Sequence, residues 1–253
     1  MKTIYHYSVE SAVEFEMTDC VNLKINDADV VLKTDKKHFL SKIVLIIPGS
    51  INETTGEAHK LSKFISDVFL MNYSPSCDVR KCEVHENDDE GTKAEDKKQP
   101  TTHCKMVRSC FSTRKSVKTL QEMQTQLDQN RFLNYSDAIS SFADGLRVKS
   151  EIERYINYFK VIECVFMKQR NGLRKELRKC VEFMSLVDSN KGNINKNANE
   201  IIDDLVRIRN ECSHLKPKSS PSIGFTSNSL DKVKGIKPYL PLLEKICREL
   251  LKI

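Results

Sequence analysis

The stretch "RIRNECSHLK" runs from Arg207 to Lys216 and sets Arg209, Asn210 and His214 within six residues. An imidazole with an ordinary pKa of about 6.5 can take or give a proton near neutral pH. A guanidinium holds two oxygens of a phosphate through its planar fork. An asparagine can orient either partner. Together these side chains suit proton movement at a phosphoryl group whose growing charge must be held. Cys212, two residues before His214, offers a thiol nucleophile as a rival reading. It falls on the apolar side of the segment, which favours a buried structural thiol.

A helix has to position these residues. "ANEIIDDLVRIRNECSHL" places Ile201, Leu205, Ile208 and Cys212 on one face at helical spacing. Asp203, Arg207, Asn210 and His214 form a separate polar stripe, expected to meet only water within the chain. Arg209 lies nearer the apolar side, where its charge needs an acceptor. An earlier helix, "SEIERYINYFKVIECVFMKQR", has Ile152, Ile156, Phe159, Ile162 and Phe166 on one face, with Glu163 near its middle. A carboxylate there is costly unless paired. Two helices, each with a charge on its apolar side, predict a Glu163–Arg209 pair. A histidine near a helix C-terminus is also explained by the helix dipole alone. The whole constellation goes beyond that.

The rest of the chain divides near its middle, and the expected fold class is α+β. "AVEFEMTD", "VNLKIND", "DVVLKTD" and "SKIVLIIPG" are short, rich in Val and Ile, and separated by Asn, Asp and Gly, so they read as antiparallel strands. "GEAHKLSKFISDVFLMNY" follows as a helix. Residues 1–84 are thus a β-rich domain with one helix. "HENDDEGTKAEDKKQPTTH" is nearly free of apolar residues and cannot form a core, so 85–112 reads as a charged linker. Residues 113–253 then contain only helices and are expected to form a bundle. These are "SVKTLQEMQTQL", "SDAISSFADGL" with Ser136 as N-cap, the Glu163 helix, "LRKELRKCVEFMSLV", the His214 helix and "PYLPLLEKICRELLKI".

The net charge is +6 and unevenly spread. Residues 1–100 carry 13 Lys+Arg against 18 Asp+Glu, and residues 101–253 carry 28 against 17. A basic second half suits a polyanion such as RNA. Its best backbone-contact candidate is "KQRNGLRKELRK", with Lys168, Arg170, Arg174, Lys175, Arg178 and Lys179. Nine cysteines at irregular spacing favour reduced thiols and a cytoplasmic setting. No apolar run is long enough for a membrane helix, and no signal-peptide pattern opens the chain. Cys77, Cys82, His85, His103, Cys104 and Cys110 contain the ligand types for zinc. Their spacing does not match paired-ligand knuckles, so no metal and no cofactor is assigned. No phosphate-binding glycine loop is present.

"RNECSH" resembles the Arg-polar-x-x-x-His motif of the HEPN superfamily, the higher eukaryotes and prokaryotes nucleotide-binding domain. The likeness spans about residues 130–253. It includes the late helix that carries the motif, the earlier acidic residue in "YFKVIECVF" and the terminal helix. The β-rich segment ahead of it resembles the layout of Apea-like HEPN proteins of microbial defence, an analogy of architecture. The resemblance implies a metal-independent endoribonuclease, acting as a toxin or antiviral defence effector. Arg209, Asn210 and His214 would be catalytic, with Glu163 and Arg207 supporting. It also implies a homodimer that brings two motifs together, RNA as substrate, and an antitoxin or regulatory partner. The alternative is a catalytically silent HEPN module that binds RNA or a protein. A third class is a helical interaction protein in which the motif has no chemical role. RNA cleavage in the presence of chelator separates the first class from the others.

Overall fold

The computed structural model describes residues 1–11, 14–15, 20–37, 39–73, 77–87, 116–117, 127–166, 172–213 and 234–252. The chain is α+β and forms two compact units, Met1–Ser136 and Asp137–Ile253. No described helix is long and apolar enough to cross a membrane.

The first unit is built on a five-stranded antiparallel sheet. Its strands are β1 (Lys2–Ser11), β3 (Cys20–Ile25), β4 (Ala28–Thr34), β5 (Leu40–Pro48) and β6 (Cys77–Asn87), in the order β3-β4-β5-β1-β6. Alternation sends Thr3, Tyr5 and Tyr7 of β1 to one face, together with Ile43, Leu45 and Ile47 of β5. Helix α1 (Ile51–Tyr73) covers that face with Leu61, Phe64, Ile65, Val68 and Phe69. The Tyr5 hydroxyl shares a buried 2.8 Å hydrogen bond with Thr54 of α1. Asn26 turns β3 into β4 with a φ of 53°, which asparagine tolerates. A separate two-stranded sheet pairs β2 (Glu14–Phe15) in parallel with β7 (Ser116–Val117).

Several expectations are corrected here. β1 and β6 are strands that the sequence reading did not identify. Both mix charged residues and histidines among their apolar ones, which masks the alternation. α1 begins at Ile51, five residues early, because Ser50 caps it. The Glu53 carboxylate accepts from the Ser50 N–H at 2.9 Å and from its hydroxyl at 2.8 Å. Residues 85–87, read as the start of a linker, still belong to β6, and 88–112 lie outside the described residues. Ser116 and Val117 are strand rather than helix, and 118–126 lie outside the described residues.

The second unit is helical. α2 (Gln129–Arg147) crosses into it and is followed by α3 (Glu151–Phe166), α4 (Leu173–Lys179), α5 (Val181–Asn190) and α6 (Ala198–Ser213). A short 3-10 turn at Lys237–Tyr239 leads into α7 (Leu240–Leu251). α3 packs on α6 and α7, α5 on both of those helices, and α4 on α5 and α6. Ser136 lies inside α2 and is not its cap, since the helix already starts at Gln129. The run expected as one helix over 173–187 breaks at Cys180, whose ψ of 103° is extended. Leu173 and Leu177 pack before the break, and Phe183 and Val187 after it. Gly145 admits the Tyr158 ring, since a Cβ there would sit 2.5 Å from it.

The buried face of α3 also differs from expectation. It is centred on Tyr155, Tyr158, Phe159 and Ile162, while Ile152, Ile156 and Phe166 are half-buried. Tyrosines bury more area than isoleucines and need only a partner for the hydroxyl. Tyr155 has one, donating to the Leu205 carbonyl of α6 at 2.8 Å. Glu163 therefore sits roughly a quarter-turn from the middle of the face, at its edge. Tyr155→Phe should lower stability by about 1 kcal/mol in urea unfolding, because the Leu205 carbonyl keeps its helical partner. No loss would mean that this bond does not help to hold α3 on α6.

Candidate functional site

The site is built on α6. Its start is fixed by a reciprocal cap. The Asn197 side chain accepts from the Glu200 N–H at 3.0 Å, and Glu200 accepts from the Asn197 N–H at 2.9 Å. Ile201, Ile202, Leu205 and Ile208 are buried along the helix. That sets its rotation and carries Arg209 into the interface with α3. Arg209 is 8% exposed as a residue. Its Nη2 lies 2.6 Å from Glu163 Oε1, and its Nη1 donates to the Asn210 side-chain oxygen at 3.4 Å. The Glu163 side chain keeps 23% exposure, so the pair is reached by solvent from the carboxylate side. Asn210 itself is exposed. His214 lies outside the described residues, one position beyond the end of α6.

Cys212 is half-buried, and burial pushes its thiol up to about 12, with Glu211 adding to the shift. It is protonated at neutral pH and is a poor nucleophile.

Of the polar stripe, Asp203 and Arg207 are not left to water, which corrects the expectation for those two. Asp203 pairs with two arginines of α4, Arg174 at 3.4 Å and Arg178 in close contact. Arg207 donates to Glu211 at 3.0 Å and to Asp204 at 3.1 Å. Long Arg side chains reach a neighbouring helix or turn, so a stripe two residues wide finds partners that periodicity does not reveal. Of the basic run, Lys175 and Lys179 are exposed on α4, while Lys168 and Arg170 lie outside the described residues.

Sequence reasoning missed one cluster. Asp204 accepts from the Tyr239 hydroxyl at 2.6 Å, from Arg207, and from Lys196 in close contact. Tyr239 is 35 residues away, so no local spacing signals the contact. It ties the segment preceding α7 to α6, one and a half turns before Arg209. Burial pushes the Asp204 carboxyl up, but bonds from Lys196, Tyr239 and Arg207 outweigh it and leave it below its ordinary value.

Of the six sulfur and imidazole candidates for zinc, Cys82 and His85 lie on β6 of the first unit. The Cys77 side chain is not among those described, and His103, Cys104 and Cys110 lie outside the described residues. Among the described residues no three His, Cys, Asp or Glu side chains converge on an ion. A shallow concavity lined by Lys191, Asn193, Lys196 and Glu200 sits at the start of α6. It shares Lys196 with the Asp204 cluster but starts about 16 Å along the helix from Arg209.

Two measurements test the arrangement. Glu163→Ala should cost about 2 kcal/mol in chemical unfolding, since it strands a nearly buried guanidinium at a partly wet interface. Glu163→Gln should cost less, because it keeps an acceptor. Equal stability of all three proteins would place Glu163 outside any ion pair. The depressed Asp204 carboxyl contributes stability that is present above its ordinary unfolded value of about 3.9 and lost as pH falls through the folded one. Asp204→Asn should therefore remove part of the stability seen at neutral pH and flatten its decline below about pH 4. An unchanged acid limb would rule out that contribution.

Residues 138–252, nearly the whole helical unit, match the family model described as methylamine utilization protein MauJ. No curated protein and no solved structure matches the chain. Over its second unit, the one that carries Arg209 and Glu163, the chain is similar to the MauJ family.

Proposed function

We propose that the helical unit is an endoribonuclease of HEPN type. The observation that carries this reading is Arg209, withdrawn from water and held by Glu163 of a second helix, with Asn210 exposed beside it. A guanidinium fixed in this way is oriented in advance of substrate, and His214 follows Asn210 by four residues. The RNA 2′-oxygen attacks the adjacent phosphorus as His214 takes its proton. The bond from phosphorus to the 5′-oxygen breaks, and that oxygen receives a proton from a second histidine. Arg209 holds the phosphoryl oxygens as charge builds. The products are a 2′,3′-cyclic phosphate and a 5′-hydroxyl, with no water consumed and no metal required. One chain offers one His214, so two copies meeting across a two-fold axis would supply both acid and base. Lys175 and Lys179, exposed on α4, extend positive charge for the RNA backbone. A cytoplasmic toxin or defence effector held by an antitoxin or other regulator is the setting that this chemistry suits.

The test is cleavage of RNA, and of DNA of the same sequence, by pure protein in chelator. RNA should be cut and DNA spared. His214→Ala and Arg209→Ala should each reduce the rate by about 100-fold or more with circular dichroism unchanged. Activity per chain should fall on dilution as copies separate. Cleavage at the wild-type rate by His214→Ala would overturn the mechanism. RNA binding without cleavage would select the silent module instead.

A further inference from the structure

The first unit contains a pair of histidines that this chemistry leaves unused. On β1, Tyr5 and Tyr7 face α1, so His6 points to the opposite face of the sheet. The register sets His6 across from Glu83 of β6, and His85 two residues further along the same face. Diagonal neighbours on adjacent strands lie within reach of ring side chains. The two imidazole centroids are 5.5 Å apart, with planes at 74°.

That separation has a second meaning. A late first-row ion binds imidazole nitrogen at about 2.0–2.1 Å, which puts each ring centre about 3.2 Å from the ion. Two rings on one ion are then about 4.5 Å apart as adjacent ligands of a tetragonal or octahedral ion and about 5.2 Å apart on a tetrahedral one, both within a small ring movement of the observed spacing. Turning one ring about its Cβ–Cγ bond, a broad torsion, converts an edge-to-face contact into a shared ligand set. The charge state fits as well. Burial, then His85 and Lys42, push His6 below its ordinary value, with Glu83 opposing. The neutral ring is the form that has a lone pair for a metal. Lys33 and Lys42 are charged neighbours that weaken the attraction for a cation, and Glu83 partly offsets them.

We infer that His6 and His85 form a two-imidazole site for a divalent late first-row ion, joining the inner strand β1 to the edge strand β6. Imidazole selects nickel, copper and zinc over magnesium and calcium. Water completes the coordination, with Glu83 as the nearest carboxylate by register. Bound metal would fasten β6 to the sheet.

The probe is nickel, titrated calorimetrically into the full chain without an affinity tag, at neutral pH in a non-chelating buffer. Wild type should take up nickel saturably and melt at a higher temperature in its presence. His6→Gln and His85→Gln should each weaken that binding about tenfold or more and abolish the rise in melting temperature. His59→Gln, on the exposed side of α1, should change neither. Circular dichroism checks that both variants fold, and the edge-strand change His85→Gln remains informative if His6→Gln does not. Unchanged nickel binding in a folded His85→Gln would overturn the site. So would the lack of saturable binding by wild type at roughly millimolar nickel. Neither result depends on RNA cleavage.

Discussion

A guanidinium removed from water is the constraint around which the helical unit is arranged. Arg209 can be buried only if a carboxylate meets it, and Glu163 does so from α3 at 2.6 Å. The pair fixes how far α6 slides along α3. The Tyr155 hydroxyl on the Leu205 carbonyl, one turn earlier, fixes the same register by a neutral contact. With both contacts made, Ile201, Leu205 and Ile208 point inward and Asn210 outward. Arg209 is therefore both a packing element and the best-held polar group near the end of α6.

The electrostatics of α6 change the meaning of the basic composition. Asp203 and Asp204 together engage Arg174, Arg178, Lys196 and Arg207. Much of the positive charge near the site is thus spent within the fold, on pairs that are partly exposed. Such pairs are individually weak and screened by salt. They nevertheless define where each long side chain rests when no polyanion is present. The exposed Lys175 and Lys179 then contribute more to the field seen from outside than a count of Lys and Arg suggests.

How much of this could be read from residues alone depends on the range of the interaction. The Glu163–Arg209 contact was legible because Arg209 falls on the apolar side of α6 and needs an acceptor, which Glu163 supplies from the edge of the buried face of α3. Spacing found α1, α2, α3, α6 and α7 but not where α1 and α2 start, nor the break at Cys180, which leaves the apolar pattern nearly continuous, and Ser116–Val117 is strand where a helix was expected. Aliphatic and phenylalanine spacing on α3 does not single out Tyr155, whose ring is buried only because its hydroxyl finds the Leu205 carbonyl. Asp204 and Tyr239 could not be paired from spacing, since 35 residues separate them. In the sheet, β5 was plain because both of its faces are apolar. β1 and β6 were not, because one face of each carries histidine and charge, and register is a property of two strands rather than one.

The strand order has a consequence for how the molecule is made. β1 is synthesised before β5 and β6 yet lies between them, pairing Lys2 with Pro48 on one side and with Asn87 on the other. The hairpins that join β3, β4 and β5 close over short loops and can form while synthesis continues. β1 must wait for them, and the last edge waits until β6 has emerged. Until then the growing chain exposes an unpaired strand edge, the kind of surface that invites pairing with another nascent chain. Long-range pairing of this sort makes folding of the first unit slow relative to the local helices that follow it.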